Sequence, residues 1–95
     1  VRIISRQAII EFAERHPDPL APLMNWYRIA KKANWESVAD TRRDFSHADP
    51  VGRRTVFNVH ANHYRLIARV NYVTKRIFIL RILTHAEYSK GGWKR

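Results

Sequence analysis

The sequence has no cysteine among its 95 residues. Disulfides, thiolate nucleophiles and cysteine-based zinc sites are therefore excluded. Acidic residues number only 8 and lie scattered, which argues against catalysis by paired carboxylates. With 3 glycines in all, the chain has no Walker loop and no dinucleotide-binding fingerprint. It also lacks Gly-x-Ser-x-Gly and His-Glu-x-x-His. No apolar run approaches the roughly 18 residues of a membrane span, and no signal-peptide pattern opens the chain. The expected setting is the cytoplasm, with no membrane partner. His16, His47, His60, His63 and His85 show no persuasive metal spacing. His60 and His63 straddle a turn but have no second pair, so neither metal nor cofactor is expected.

What the chain does have is positive charge. Its 18 Lys and Arg against 8 Asp and Glu give a net +10 and a pI near 10.9. On a small domain such an excess favours polyanionic partners, nucleic acid first. A hydrophobic fraction of 45%, with 3 Trp, 4 Tyr and 4 Phe, is enough for one modest core. Residues 1–95 therefore read as a single domain without repeats or linkers, and Gly91 to Arg95 as a flexible tail.

In chain order, Arg2-Ile3-Ile4 reads as a short strand and Ser5 as the N-cap of a helix over Arg6 to Arg15. Pro17 stops that helix, and Asp18-Pro19 starts another as cap and first position. Leu20, Leu23, Met24, Tyr27 and Ala30 recur at helical spacing and mark its core face. Lys31 and Lys32 close it where the helix dipole favours cations. Ser37 with Asp40 resembles the capping box of a third, short helix. Ser46 to Gly52 reads as a polar loop, followed by a strand over Thr55 to Val59 and a tight connection at His60 to His63. A long strand, Tyr64 to Tyr72, turns at Val73 to Arg76 into a last strand that runs into Thr84 to Lys90. This order predicts an α+β fold, with N-terminal helices packed on one face of an antiparallel sheet of about four strands.

Alternation along the long strand points Tyr64, Leu66, Ala68, Val70 and Tyr72 to the core. His63, Arg65, Ile67, Arg69 and Asn71 point the other way. The same period places Phe78, Leu80 and Ile82 towards the helices, and Ile77, Ile79, Arg81 and Leu83 away. The far face thus presents Arg65, Arg69 and Arg81 and ends in His85, Tyr88 and Lys90. Such a set suits metal-free phosphodiester chemistry on RNA, which carries its own nucleophile in the 2′-hydroxyl. The reaction needs a proton acceptor, a stabiliser of phosphate charge and a donor to the leaving 5′-oxygen. Guanidinium groups meet the second need through their fork, and His85 is the expected proton carrier. Tyr88 stacks or shuttles a proton, and Lys90 adds charge. Asn58 and Asn62 are candidates to bond bases or sugars, although Asn62 also fits its own turn. Lys31, Lys32, Arg42, Arg43, Arg53 and Arg54 suit RNA backbone contacts, and Arg69 suits either a phosphate or a solvated face.

Val56-Phe-Asn-Val-x-x-Asn-x-Tyr-Arg-Leu66, followed by Thr84-His-Ala-Glu-Tyr88, resembles the HigB toxin family of bacterial toxin–antitoxin systems, within the RelE/ParE superfamily. The likeness extends to Ile3-Ile-Ser, His16-Pro17, Trp26-Tyr27 and the Asp40 to Asp49 segment. It implies a RelE-like microbial RNase fold and a ribosome-dependent endoribonuclease that cuts mRNA in the 30S A site. It also implies a cognate HigA-type helix-turn-helix antitoxin, through which alone the complex would meet operator DNA. Carried onto this chain, the pattern matches Asn58, Asn62, Tyr64, Arg65, Arg81, His85, Glu87 and Tyr88. Arg65 and Arg81 are then expected on the scissile phosphate. The family usually has Asp after Glu-Tyr, where this chain has Ser89.

Two other classes fit the same charge. A ParE-like toxin would bind a protein target and cut nothing, and would have no need of a proton carrier among its arginines. A non-catalytic RNA-binding sheet would display exposed aromatics for base stacking, whereas Tyr64 and Tyr72 here face inward.

Overall fold

Five β-branched or alternating segments form one sheet: β1 (Arg2–Ile4), β2 (Asp49–Val51), β3 (Arg54–Val59), β4 (Tyr64–Asn71) and β5 (Arg76–Thr84). The computed structural model describes residues 2–61, 63–91 and 93. The strand order is β1-β5-β4-β3-β2, with β1 parallel to β5 and every other pair antiparallel. Three helices, α1 (Gln7–Arg15), α2 (Leu20–Lys32) and α3 (Val38–Asp44), precede the hairpins, and α4 (His85–Ser89) follows β5. The expected α+β arrangement holds, with five strands rather than four. The additional one is β2, from the segment expected to be a loop. Pro50 is tolerated there because β2 is an edge strand, where a missing N–H costs no ladder bond.

The core lies between the helices and one face of the sheet. Ile9 and Phe12 from α1, and Leu23, Trp26 and Ala30 from α2, pack on Phe57, Leu66, Ala68 and Ile77. The stripe on α2 is therefore Leu23, Trp26 and Ala30, while Met24 and Tyr27 sit at its margin. Leu20, expected in the core, stands in the first turn and is 43% exposed.

Two expected caps fall elsewhere. Ser5 takes a left-handed conformation (φ 75°), and its carbonyl accepts from the Ala8 amide at 2.9 Å. Arg6 occupies the cap position of α1. Pro19, not Asp18, caps α2, without a side-chain bond. At α3 the Ser37 hydroxyl does accept from the Asp40 amide, at 3.5 Å. The Asp40 carboxylate accepts from the Glu36 amide rather than from that of Ser37.

β5 breaks its own two-residue phase. Ile67 faces Arg81 and Ala68 faces Ile79, so Leu80 is an extra residue, a β-bulge. One inserted residue exchanges the faces of everything before it. Ile77 and Ile79 therefore join Ile82 in the core, whereas Phe78 is half-buried and Leu80 is 44% exposed. The expectation for Phe78 and Leu80 is corrected by that bulge. Arg65, Arg69 and Arg81 still share the face away from the helices, opposite Leu83, Phe78 and Ile67 respectively.

That far face is not merely charged. Val56, Ile67 and Trp93 form a second buried cluster, joined by Val51, Leu83 and Tyr88. Trp93, in the segment expected to be a flexible tail, is 3% exposed. The reason is apolar surface: two aliphatic residues between the arginines leave a patch that an aromatic ring covers.

Candidate functional site

The site is built around the turn from β5 into α4. Thr84 ends the strand and caps the helix: its hydroxyl accepts from the Glu87 amide at 3.2 Å, and Glu87 Oε1 accepts from the Thr84 amide at 3.0 Å. This reciprocal capping box fixes the entry angle of α4. The bond from the Thr84 amide holds the Glu87 carboxyl below its ordinary range, with smaller help from His16 and Arg15. α4 then sets Tyr88 over the sheet, where its ring meets two neighbours. The Arg65 guanidinium lies 5.2 Å from the ring centre, and Trp93 stacks on the ring at 5.1 Å and 15°. Trp93 Nε1 also donates to the Tyr88 carbonyl at 3.0 Å, tying the indole to α4.

Next to Tyr88 opens a cleft of about 530 Å³. Its floor is the far face of the sheet, where Asn58 on β3 is the register partner of Arg65 on β4. Its opposite wall is Arg42, at the end of α3, with Ser46, His47 and Asp49. This wall is anchored. Thr41 is fully buried with its hydroxyl 3.1 Å from that of Tyr72, and Trp35 Nε1 donates to Asp44 Oδ2 at 2.8 Å. Arg42 Nε donates to the Ala48 carbonyl at 3.1 Å, which fixes the loop carrying His47. Arg65 itself is 9% exposed, and its Nη1 donates to the Tyr64 carbonyl at 3.1 Å. A cleft with guanidinium groups on two sides and a phenol at the rim is suited to a phosphodiester with an adjoining sugar.

The structure gathers some of the expected residues and disperses others. Arg65, Tyr88, Asn58 and Arg42 share the cleft. His85 does not: it lines a separate hollow with Asp18, His60, His63 and Tyr64, and its amide donates to the His63 carbonyl at 2.9 Å. Arg81 is among the residues lining a groove along β5 and α1 that also includes Glu87. Lys90 is an exposed residue at the end of α4. Arg53, Arg54 and Arg69 converge in another groove by the turn between β2 and β3. Arg43 pairs with Asp40 at 3.4 Å, while Lys31 lies 5.9 Å from the Tyr27 ring centre and Lys32 ends α2. Asn62 lies outside the described residues. Tyr64 packs against the core, as its alternation implied.

Two site residues escaped sequence reasoning. His47 sits in a segment without periodicity, and only the fold of the loop after α3 brings it to the cleft. Trp93 falls in the segment expected to be a flexible tail. The signal available was a large aromatic two residues from a basic terminus, matched by Val56 and Ile67 at far-face positions.

Comparison with known proteins adds a family and named relatives. The model of the HigB toxin family, RelE-like toxic components of toxin–antitoxin systems, matches residues 20–91. An mRNA interferase HigB of Escherichia coli O6:H1 (strain CFT073) is 33% identical over 93 residues, 95% of this chain and 90% of the relative. An mRNA interferase toxin HigB of Escherichia coli K12 is 24% identical over 91 residues, 93% of this chain and 88% of that protein.

Proposed function

The chain belongs to the HigB toxin family, and from that premise we propose that it is a toxin–antitoxin toxin that cleaves mRNA at the cleft between Arg65 and Tyr88. The observation that carries the site is the juxtaposition of Arg65, Asn58 and Tyr88, which the notably basic chain presents on one face. The reaction is attack of a 2′-hydroxyl on the adjacent phosphate without a metal ion. Arg65, with Arg42 across the cleft, stabilises the charge that builds on the phosphate oxygens. Asn58 hydrogen-bonds the sugar or base beside the scissile bond, and Tyr88 fixes the strand at the rim. Cleavage is ribosome-dependent and occurs in the A site of the 30S subunit, in the cytoplasm. The toxin is silenced by a cognate HigA-type antitoxin, through which the complex reaches operator DNA.

Mapping of 5′ ends on an mRNA in a reconstituted bacterial translation reaction tests this reading. The expected result is a set of cuts in register with codons, absent without ribosomes and absent with Arg65→Ala. If wild-type protein makes no cuts but arrests growth on expression, a protein target replaces mRNA. Cuts at the same sites in ribosome-free RNA would remove the ribosome from the mechanism while leaving the nuclease.

A further inference from the structure

We propose that His47 is the proton-accepting residue of this cleft, in place of His85, the proton carrier expected from the sequence. The inference rests on the nuclease reading above. Three observations carry it. Among the described residues, His47 is the one imidazole lining the cleft that holds Arg65, Asn58 and Tyr88. His85 lines a different hollow, together with His60 and His63. The loop that presents His47 is also held on both sides. Ala48 is 3% exposed, its amide donates to the Phe45 carbonyl at 3.0 Å, and its own carbonyl accepts from Arg42 Nε. Asp49 then enters β2 opposite Val56. An imidazole that lines the same cleft as Arg65, on a pinned loop, is better placed to serve as general base there than one outside the cleft.

The chemistry balances as follows. A neutral imidazole nitrogen of His47 takes the proton of the 2′-hydroxyl as the 2′-oxygen bonds to phosphorus. The bond from phosphorus to the 5′-oxygen breaks, and that oxygen takes the Tyr88 phenolic proton, which solvent restores. His47 returns its proton to water. The products are a 2′,3′-cyclic phosphate and a 5′-hydroxyl. The charged and titratable groups that line the cleft with His47 are Arg42 from α3 and Asp49 from β2 on its own wall, and Arg65 from β4 and Tyr88 from α4.

The test is single-turnover cleavage of ribosome-bound mRNA by wild type, His47→Gln and His85→Gln, between about pH 5.5 and 8.5, the range over which imidazole changes charge. The expected result is a loss of about 100-fold or more in His47→Gln, with the acid limb of the profile gone. His85→Gln should stay within a few-fold of wild type and keep that limb. Added imidazole should restore part of the rate to His47→Ala, which a merely structural role would not allow. Near-UV circular dichroism of each variant checks that the fold is kept. Wild-type rate and profile in His47→Gln overturn the assignment while leaving the nuclease intact, as does transfer of the defect to His85→Gln. A wild-type protein that cuts nothing sinks the parent reading and this one together.

Discussion

The Arg65 guanidinium lies 5.2 Å from the centre of the Tyr88 ring, so the most buried arginine of the far face is held against the rim of the cleft by an aromatic ring. Contacts of this kind contribute about 0.5–2 kcal/mol, more as water is excluded. The larger effect is positional. Arg65 is fixed from below by a central strand and from above by α4, while Asn58 stands beside it in register. Fixed donors suit stabilisation of developing charge because they need no reorganisation as the phosphate changes geometry.

Arg65→Ala should lower the single-turnover cleavage rate by about 100-fold or more, the range seen when a donor to developing charge is removed. Arg65→Lys should recover only a small part of that loss. An ammonium keeps the charge but not the planar fork or the stacking on Tyr88. A lysine variant with the wild-type rate would show that charge alone suffices.

Trp93→Ala should destabilise the protein and weaken cleavage together. Removing a buried indole costs about 3 kcal/mol at the low end of the measured range, and Trp93 covers Val56 and Ile67 from a chain end. Tyr88 then loses its stacking partner and α4 its tie through the Tyr88 carbonyl. Urea denaturation reads the first effect. The second should appear as a lower rate on folded protein, with Trp93→Phe recovering much of it. A folded Trp93→Ala protein that cleaves at the wild-type rate would separate this latch from the site.

The cap of α4 should be acid-sensitive. Glu87 titrates below its ordinary value of 4.5 because the Thr84 amide bonds its carboxylate. A lowered folded-state value means that its contribution is complete above the unfolded value and is lost as pH falls through the folded one. The carboxylate is exposed, so the amount stays within about 1 kcal/mol. Urea midpoints taken from about pH 6 down to 3 should fall further for wild type than for Glu87→Gln, whose amide oxygen still accepts from Thr84. Parallel curves would place the acid sensitivity elsewhere.

The bulge at Leu80 gives neighbouring residues opposite sensitivities. Ile79→Ala, at a position 4% exposed, should cost about 2–4 kcal/mol. Leu80→Lys, at 44% exposed, should move stability by no more than about 0.5 kcal/mol. Continuous two-residue alternation requires the reverse order, so the pair of urea curves decides between the two registers.

That bulge also marks where the sequence stopped being legible. Helix stripes and alternation on β4 gave the layers, because burial of one face repeats with the period of the element. An inserted residue leaves no mark in composition, so alternation alone puts Phe78 and Leu80 on the wrong face. Val56-Phe-Asn-Val and Thr84-His-Ala-Glu-Tyr88 pointed to Arg65, Asn58 and Tyr88, which lie on the sheet or on the helix that directly follows it. His47 and Trp93 reach the site through a loop and a chain end, whose paths depend on tertiary contacts with no sequence period. His85 shows the converse: one helical turn from Tyr88, it faces another hollow.

The groove of Arg53, Arg54 and Arg69 should govern affinity and leave chemistry alone. It is distinct from the cleft containing Arg65, and a backbone contact confers binding without touching the reacting atoms. Each phosphate neutralised on a single strand adds about 0.7 to the slope of log affinity against log salt. Binding of a mixed-sequence single-stranded RNA, measured across a range of potassium concentrations, should therefore lose about 1.4 from that slope in the Arg54→Ala, Arg69→Ala double variant. Its single-turnover rate on saturating ribosome-bound mRNA should match wild type. An unchanged slope would identify the groove as a solvated face, and the charge that recruits RNA would then lie with Lys31, Lys32 and Arg43 on the helical side.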